Sequence, residues 1–170
     1  MGSLVSDLNE RFKRYRCPSC NCTLDEFTCP CRCRHRARCF TKAKPEPYHL
    51  KGFSLNECES GYCLGFYMYQ GSDELRPPNM PASVFPSYKL LAETPELHNC
   101  GSTLYADNWF TGIKTMETVF SCGMDYIDTV RTDRTAGAFD DTKKHFKCAK
   151  RGYYRCRKSS NVATVPVWCT

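Results

Sequence analysis

Residues 104–111 read Leu104-Tyr105-Ala106-Asp107-Asn108-Trp109-Phe110-Thr111. The apolar run Thr103–Ala106 has the character of a short buried strand, and it delivers Asp107 at its C-terminal end. An aromatic pair and a hydroxyl residue then open Phe110–Cys122, in which Phe110, Ile113, Met116, Val119 and Phe120 recur at helical spacing and Gly123 supplies a C-cap. In open α/β sheets functional groups collect where strands end, and a carboxylate there can meet a hard cation. A capping role for Asp107 or Asn108 at the helix start explains the same residues from pattern alone.

The flanking sequence supplies the rest of a sheet. Two runs, His49–Asn56 and Gly61–Gln70, surround the polar stretch Glu57-Cys58-Glu59-Ser60 and predict a β-hairpin. Upstream, Thr23–Phe27 reads as a strand carrying Asp25, and Leu8–Tyr15 as a short basic helix capped by Ser6 or Asp7. Prolines make Arg76–Pro81 a loop, because each removes an amide donor and fixes φ. Ser87–Leu97 predicts a helix that Pro95 bends or ends, and Tyr126–Arg131 a strand. Thr132–Lys147 is polar and is expected to be an exposed loop, and Gly152–Lys158 with Val162–Trp168 a looser hairpin around Ser159-Ser160-Asn161. Hairpin, helix, strand, helix, strand is the order of an α/β layer with a mixed sheet.

A chain of 170 residues with 41% apolar content suffices for one domain with a core. No apolar run approaches the roughly 20 residues that cross a bilayer, so no membrane partner is expected. The N-terminus shows no secretory signal pattern, so the 14 cysteines are expected to be mostly reduced thiols of an intracellular protein. Residues 1–51 hold 11 Lys/Arg against 5 Asp/Glu, whereas residues 52–170 hold 13 of each, so the whole net charge of +6 is N-terminal. Such asymmetry fits a polyanion, and nucleic acid is the commonest case, although a solvated basic face has the same composition. Arg32, Arg34, Arg36 and Arg38 alternate with Cys33, His35, Ala37 and Cys39, which predicts an extended segment with the arginines on one side.

Tyr105-Ala106-Asp107-Asn108-Trp109-Phe110-Thr111 resembles the second-aspartate motif of the piggyBac-type transposases and their domesticated derivatives. Thr23-Leu24-Asp25-Glu26, with Pro30 and Arg34, resembles the first-aspartate strand of that family. Lys44–Lys51, Ser60-Gly61-Tyr62, Thr129-Val130-Arg131 with Arg134, and Gly152–Lys158 extend the likeness over residues 8–170. The resemblance implies an incomplete, truncated RNase H-like fold with a mixed sheet and flanking helices. It also implies that Asp25 and Asp107 are catalytic and hold Mg²⁺ or Mn²⁺, hard cations that prefer oxygen ligands, for phosphodiester cleavage and strand transfer on DNA.

The family's remaining catalytic aspartates lie in a Gly-Gly-Val-Asp-like segment, and none occurs before Thr170. Asp125, Asp128, Asp133, Asp140 and Asp141 are poor substitutes, so an autonomous nuclease is not expected. Cys31, Cys33, Asp128 and Asp133 depart from the family pattern as in a relic copy, with a loss of apolar volume near Asp25. The organisation expected is a basic, Cys-containing segment over residues 1–21 and a partial transposase core over 22–170. The protein would be nuclear, with residual DNA affinity through Arg32, Arg34, Arg36 and Arg38, and a homodimer or full-length transposase as a further partner. The alternative is a zinc-stabilised DNA- or protein-binding module built on Cys17, Cys20, Cys22, Cys29, Cys31, Cys33, His35 and Cys39, since Cys-x-x-Cys is a common zinc half-site.

Overall fold

Side chains along a strand point alternately to the two faces of its sheet, and two long strands set the faces here. In β1 (Asn21–Pro30) Cys22 and Leu24 are buried, and in β3 (Tyr48–Glu57) so are Phe53 and Leu55. The two strands run antiparallel, in a register from Cys22↔Glu57 to Pro30↔His49. On its other side β3 pairs first with the short β2 (Arg38–Phe40) and then with β4 (Cys63–Met68), the latter across an irregularity at Leu55/Asn56. The expected hairpin is therefore present, and Glu57–Ser60 is its turn, closed by Glu57 N–H donating to the Tyr62 carbonyl at 2.8 Å. The computed structural model describes residues 2–42, 44–71 and 76–129, with the strands Tyr154–Lys158 and Thr164–Trp168.

The sheet then turns parallel. Strand β5 (Thr103–Ala106) lies beside β1 in the register Asn21↔Thr103 to Leu24↔Ala106, and β6 (Asp125–Asp128) lies beside β5. The order is β2-β3-β1-β5-β6, with β4 also on β3. This is the mixed sheet that the motif order predicted. One face packs on α2 (Phe85–Ala92), the 3₁₀ turn Pro95–Leu97 and α3 (Ile113–Ser121), through a core that joins Leu24, Leu55 and Leu104 to Leu90, Leu97 and Val119. Pro95 ends α2 as expected, since the chain re-forms only as a 3₁₀ turn.

The helix after Asp107 differs from its expected form. Phe110 N–H donates to the Asp107 carbonyl at 3.0 Å, and this turn delays the helix to Ile113. Phe110 is buried from the turn, Ile113 is exposed, and the buried helical pair is Thr115 and Val119 at i, i+4. Gly123 follows the C-cap with φ 66°, the left-handed position expected of it.

The N-terminal helix α1 (Gly2–Tyr15) is longer than its apolar spacing predicted and packs on β4. The Phe12 ring meets Tyr62 and Phe66, and Tyr62 donates its hydroxyl hydrogen to the Phe12 carbonyl at 2.9 Å. The buried Asn9 amide donates to the Phe66 carbonyl at 2.8 Å and accepts from its N–H at 3.0 Å, covering an exposed strand edge. This helix lies within one compact unit, Met1–Val130, with the sheet.

A second unit spans Arg131–Thr170. In it β7 (Tyr154–Lys158) pairs antiparallel with β8 (Thr164–Trp168), the looser hairpin that the sequence predicted. The expected loop Thr132–Lys147 lies outside the described residues.

Candidate active site

The register places the two singled-out aspartates. Leu24 and Ala106 are paired on parallel neighbours, and Asp25 and Asp107 each follow by one residue. Parallel partners share a face, and both aspartates are exposed on the face opposite the Leu24–Leu104 core. Across β1 on its other side, Asp25 is partnered by Ser54.

Local hydrogen bonds fix both carboxylates. Asp25 Oδ1 accepts from Glu26 N–H at 2.7 Å, and Asp107 Oδ1 from Asn108 N–H at 2.6 Å. Asp107 Oδ1 also accepts from the Thr129 hydroxyl at 3.3 Å, while the Thr129 carbonyl accepts from the Thr111 hydroxyl at 2.8 Å. Thr129 thus ties the end of β6 to the Asp107 turn. It is the site residue that periodicity missed, although the Thr129-Val130-Arg131 motif pointed at it. Among the described residues neither Oδ2 atom accepts a hydrogen bond. Two carboxylates with open oxygens fit a hard divalent cation, which takes about six oxygen ligands. Among the described residues no group of three or more His, Cys, Asp or Glu converges.

Of the substitute carboxylates, Asp125 pairs with Thr103 at the far end of β5, and Asp128 pairs with Ala106 and so faces the core side. Asp128 Oδ2 and the Tyr126 hydroxyl are buried without a hydrogen-bond partner among the described residues. Burial, reinforced by the Asp128 charge, pushes the Tyr126 phenol up. Asp133, Asp140 and Asp141 lie outside the described residues.

The opposite face beneath the site is a packed aromatic cluster. Trp109 stacks on Phe53 at 5.3 Å between centroids and meets Phe110 edge-on at 4.9 Å. Phe110 is a core residue and Trp109 is half-buried against that core, the packing that their place at a strand-to-helix junction suggested. The Lys51 ammonium lies 4.3 Å from the Trp109 centroid and binds Glu26 Oε2 at 2.7 Å, and Lys44 binds Oε1 at 3.3 Å. Burial alone would raise the Glu26 carboxyl, but Lys51 and then Lys44 outweigh it and hold it below the ordinary value. Glu26 and Asp25 part because adjacent residues on a strand face opposite ways: Glu26 is paired with the buried Phe53, and Asp25 with Ser54.

The cysteine and arginine expectations change. Cys20 just precedes β1 and Cys29 lies near its far end, nine residues of extended chain and about 30 Å apart, and among the described residues no three of the proposed ligands converge as a four-coordinate zinc site needs. Cys22 is a core residue, and burial pushes its thiol up to about 12. Cys31 and Cys33 follow Pro30, with sulfurs 3.0 Å apart, so neither removes volume from the strand around Asp25. Nor is Arg32–Arg38 one extended segment. Ala37 is buried, and a turn in which Arg38 N–H donates to the His35 carbonyl at 3.0 Å breaks the alternation, leaving only Arg38 in β2. Arg32, Arg34 and Arg36 are exposed.

The model of a family described as Transposase IS4 matches residues 1–163. The chain belongs to this transposase family. Among solved structures, a piggyBac transposase synaptic complex with hairpin DNA aligns with TM-score 0.78 and 18% identity over 92% of this chain and 32% of that one. A Mos1 transposase paired-end complex with the left transposon end aligns over 87% of this chain and 54% of that one, at 10% identity, but its TM-score of 0.38 carries no argument. No curated protein matches. The resemblance to the piggyBac-type transposases holds at the level of family and fold, and the chain spans about a third of the piggyBac chain's length. Among the described residues no helix of this transposase domain is long and apolar enough to cross a membrane.

Proposed function

We propose that this chain is part of a transposase catalytic domain in which Asp25 and Asp107 together hold a divalent cation and the basic N-terminal third holds DNA. The observation that carries the reading is the parallel register Leu24↔Ala106: the next residue of β1, Asp25, and the residue just past the end of β5, Asp107, follow a paired position on neighbouring strands, and both are exposed. A bound Mg²⁺ or Mn²⁺ would supply Lewis-acid activation of a phosphodiester and its attacking oxygen. The chain's own residues orient the ligands: Glu26 and Asn108 amides and the Thr129 hydroxyl each hold an Oδ1 atom and, among the described residues, leave the partner oxygen without a hydrogen bond. The fold likeness to a transposase with hairpin DNA and the excess of cations over residues 1–51 support DNA as the partner, and a nuclear location is part of the same proposal.

Among the described residues this site holds two carboxylates, fewer than a two-metal site needs, and the chain is expected to bind metal and DNA without efficient strand cleavage. A plasmid-nicking assay in Mg²⁺ or Mn²⁺, with Asp25→Ala and Asp107→Ala controls, tests this. The expected result is no aspartate-dependent nicking by the isolated chain; robust cleavage abolished by either variant would show the site to be complete.

A further inference from the structure

The edge of the sheet carries a feature that the aspartate site does not use. Phe40 and Tyr48 are cross-strand partners on β2 and β3, with ring centroids 5.0 Å apart and a tilt of 50°. Both rings stay open to solvent, Phe40 at 61% and Tyr48 at 47% exposure. The Arg38 guanidinium lies 4.7 Å from the Tyr48 centroid and is held there by a bond to the Cys33 carbonyl at 3.2 Å. The two exposed rings adjoin, so the aromatic surface is continuous rather than scattered, the form that an interaction site takes.

Charge identifies the cover. Between Glu26 and Glu46 the chain carries Arg32, Arg34, Arg36, Arg38, Lys42 and Lys44 and no acidic residue. Arg32, Arg34, Arg36 and Lys42 are exposed and make no ion pair among the described residues. The partner is therefore a polyanion that also presents flat apolar faces. A duplex hides its base faces in the stack; an unpaired strand exposes them. Alternation along β3 places Tyr48 on the same face as Ser54, the cross-strand partner of Asp25, about 20 Å away for six extended residues.

We infer that Phe40, Tyr48 and Arg38 form a stacking platform for the bases of a single DNA strand, held by the surrounding arginines and leading toward the Asp25–Asp107 face. The inference rests on the reading of the chain as a DNA-binding transposase domain. It adds a second mode of recognition, base stacking on unpaired DNA, at a place remote from the aspartates.

Fluorescence anisotropy with labelled oligothymidine and with a duplex of equal length tests it, using the full chain. Phe40→Leu with Tyr48→Leu keeps apolar volume in the strand pair and removes both rings. Single-strand affinity is expected to fall by about tenfold or more, the effect of losing stacking on one or two bases. Duplex affinity should change less than about twofold, since its contacts are to phosphates. Tyr48→Phe should bind single strands like the parent, which a purely structural role for the hydroxyl would not allow. Equal losses for both DNA forms, no loss for either, or equally ring-dependent binding of polyglutamate would overturn the platform. If neither DNA form binds the parent chain, the proposed DNA-binding function falls with it; ring-independent binding of both removes the platform alone.

Discussion

At the residue scale the buried groups are the most exacting. Thr115 is fully buried and donates its hydroxyl hydrogen to the Phe110 carbonyl at 2.7 Å, which locks the aromatic turn beneath Asp107 onto α3. Thr115→Val keeps the shape, leaves that carbonyl unpaired, and should cost about 1–3 kcal/mol in urea unfolding. Glu57 is buried at the hairpin turn, where the Ser60 hydroxyl, then Arg16, and the Ser19 amide lower its carboxyl from 4.5 to about 2. A lowered folded-state value means that ionised Glu57 stabilises the fold above about pH 4.5, and that this contribution is lost as pH falls toward 2. Thermal melts from pH 7 to 2 should therefore show Glu57→Gln with a flatter acid limb than the parent. The placement of Asp25 and Asp107 on neighbouring strands was legible because each ends or follows a short apolar run in a specific motif. Glu57 was not, because a turn acid looks solvated in a sequence, and two of the groups that hold it buried, Arg16 and the Ser19 amide, are distant along the chain.

At the element scale, strands were easier to read than helices. β5 appeared at its expected bounds, and β3 and β4 within one or two residues, since period-two alternation and a polar turn leave little freedom. Helix α3 was misplaced at its start because Phe110 continues the helical period in sequence, yet is buried by a turn hydrogen bond. The arginine alternation failed for a related reason: a period of two was present, but Ala37 is pulled into the core by a local turn. The role of α1 needed tertiary knowledge, since Asn9 looks like any polar helix residue. Its amide serves as a surrogate strand for Phe66 across 57 residues. Asn9→Ala should leave both Phe66 backbone groups unpaired and lower stability by about 2–4 kcal/mol. Hydrogen exchange should show faster exchange at β4, and unchanged exchange there would mean that α1 docks through Phe12 alone.

For the whole molecule, the fold class followed from the order of elements, and family membership from a motif of seven residues. What the sequence did not show is the division of labour between the sheet faces. The Leu24 face is packed with α2 and α3, whereas the opposite face carries both aspartates and, at its far edge, Tyr48. One residue of register shift would send Asp25 into the core and Leu24 into solvent, so the buried strand interior itself holds the two carboxylates in place. Mn²⁺ binding followed by electron paramagnetic resonance, on the parent chain and on Asp25→Ala, Asp107→Ala and Asp125→Ala, tests that claim most directly. A shared site requires that Asp25→Ala and Asp107→Ala each weaken Mn²⁺ uptake by about tenfold or more, because ligand charge sets the affinity, and that Asp125→Ala leaves it unchanged. Uptake indifferent to both aspartates, or lost equally in the Asp125 variant, would contradict it.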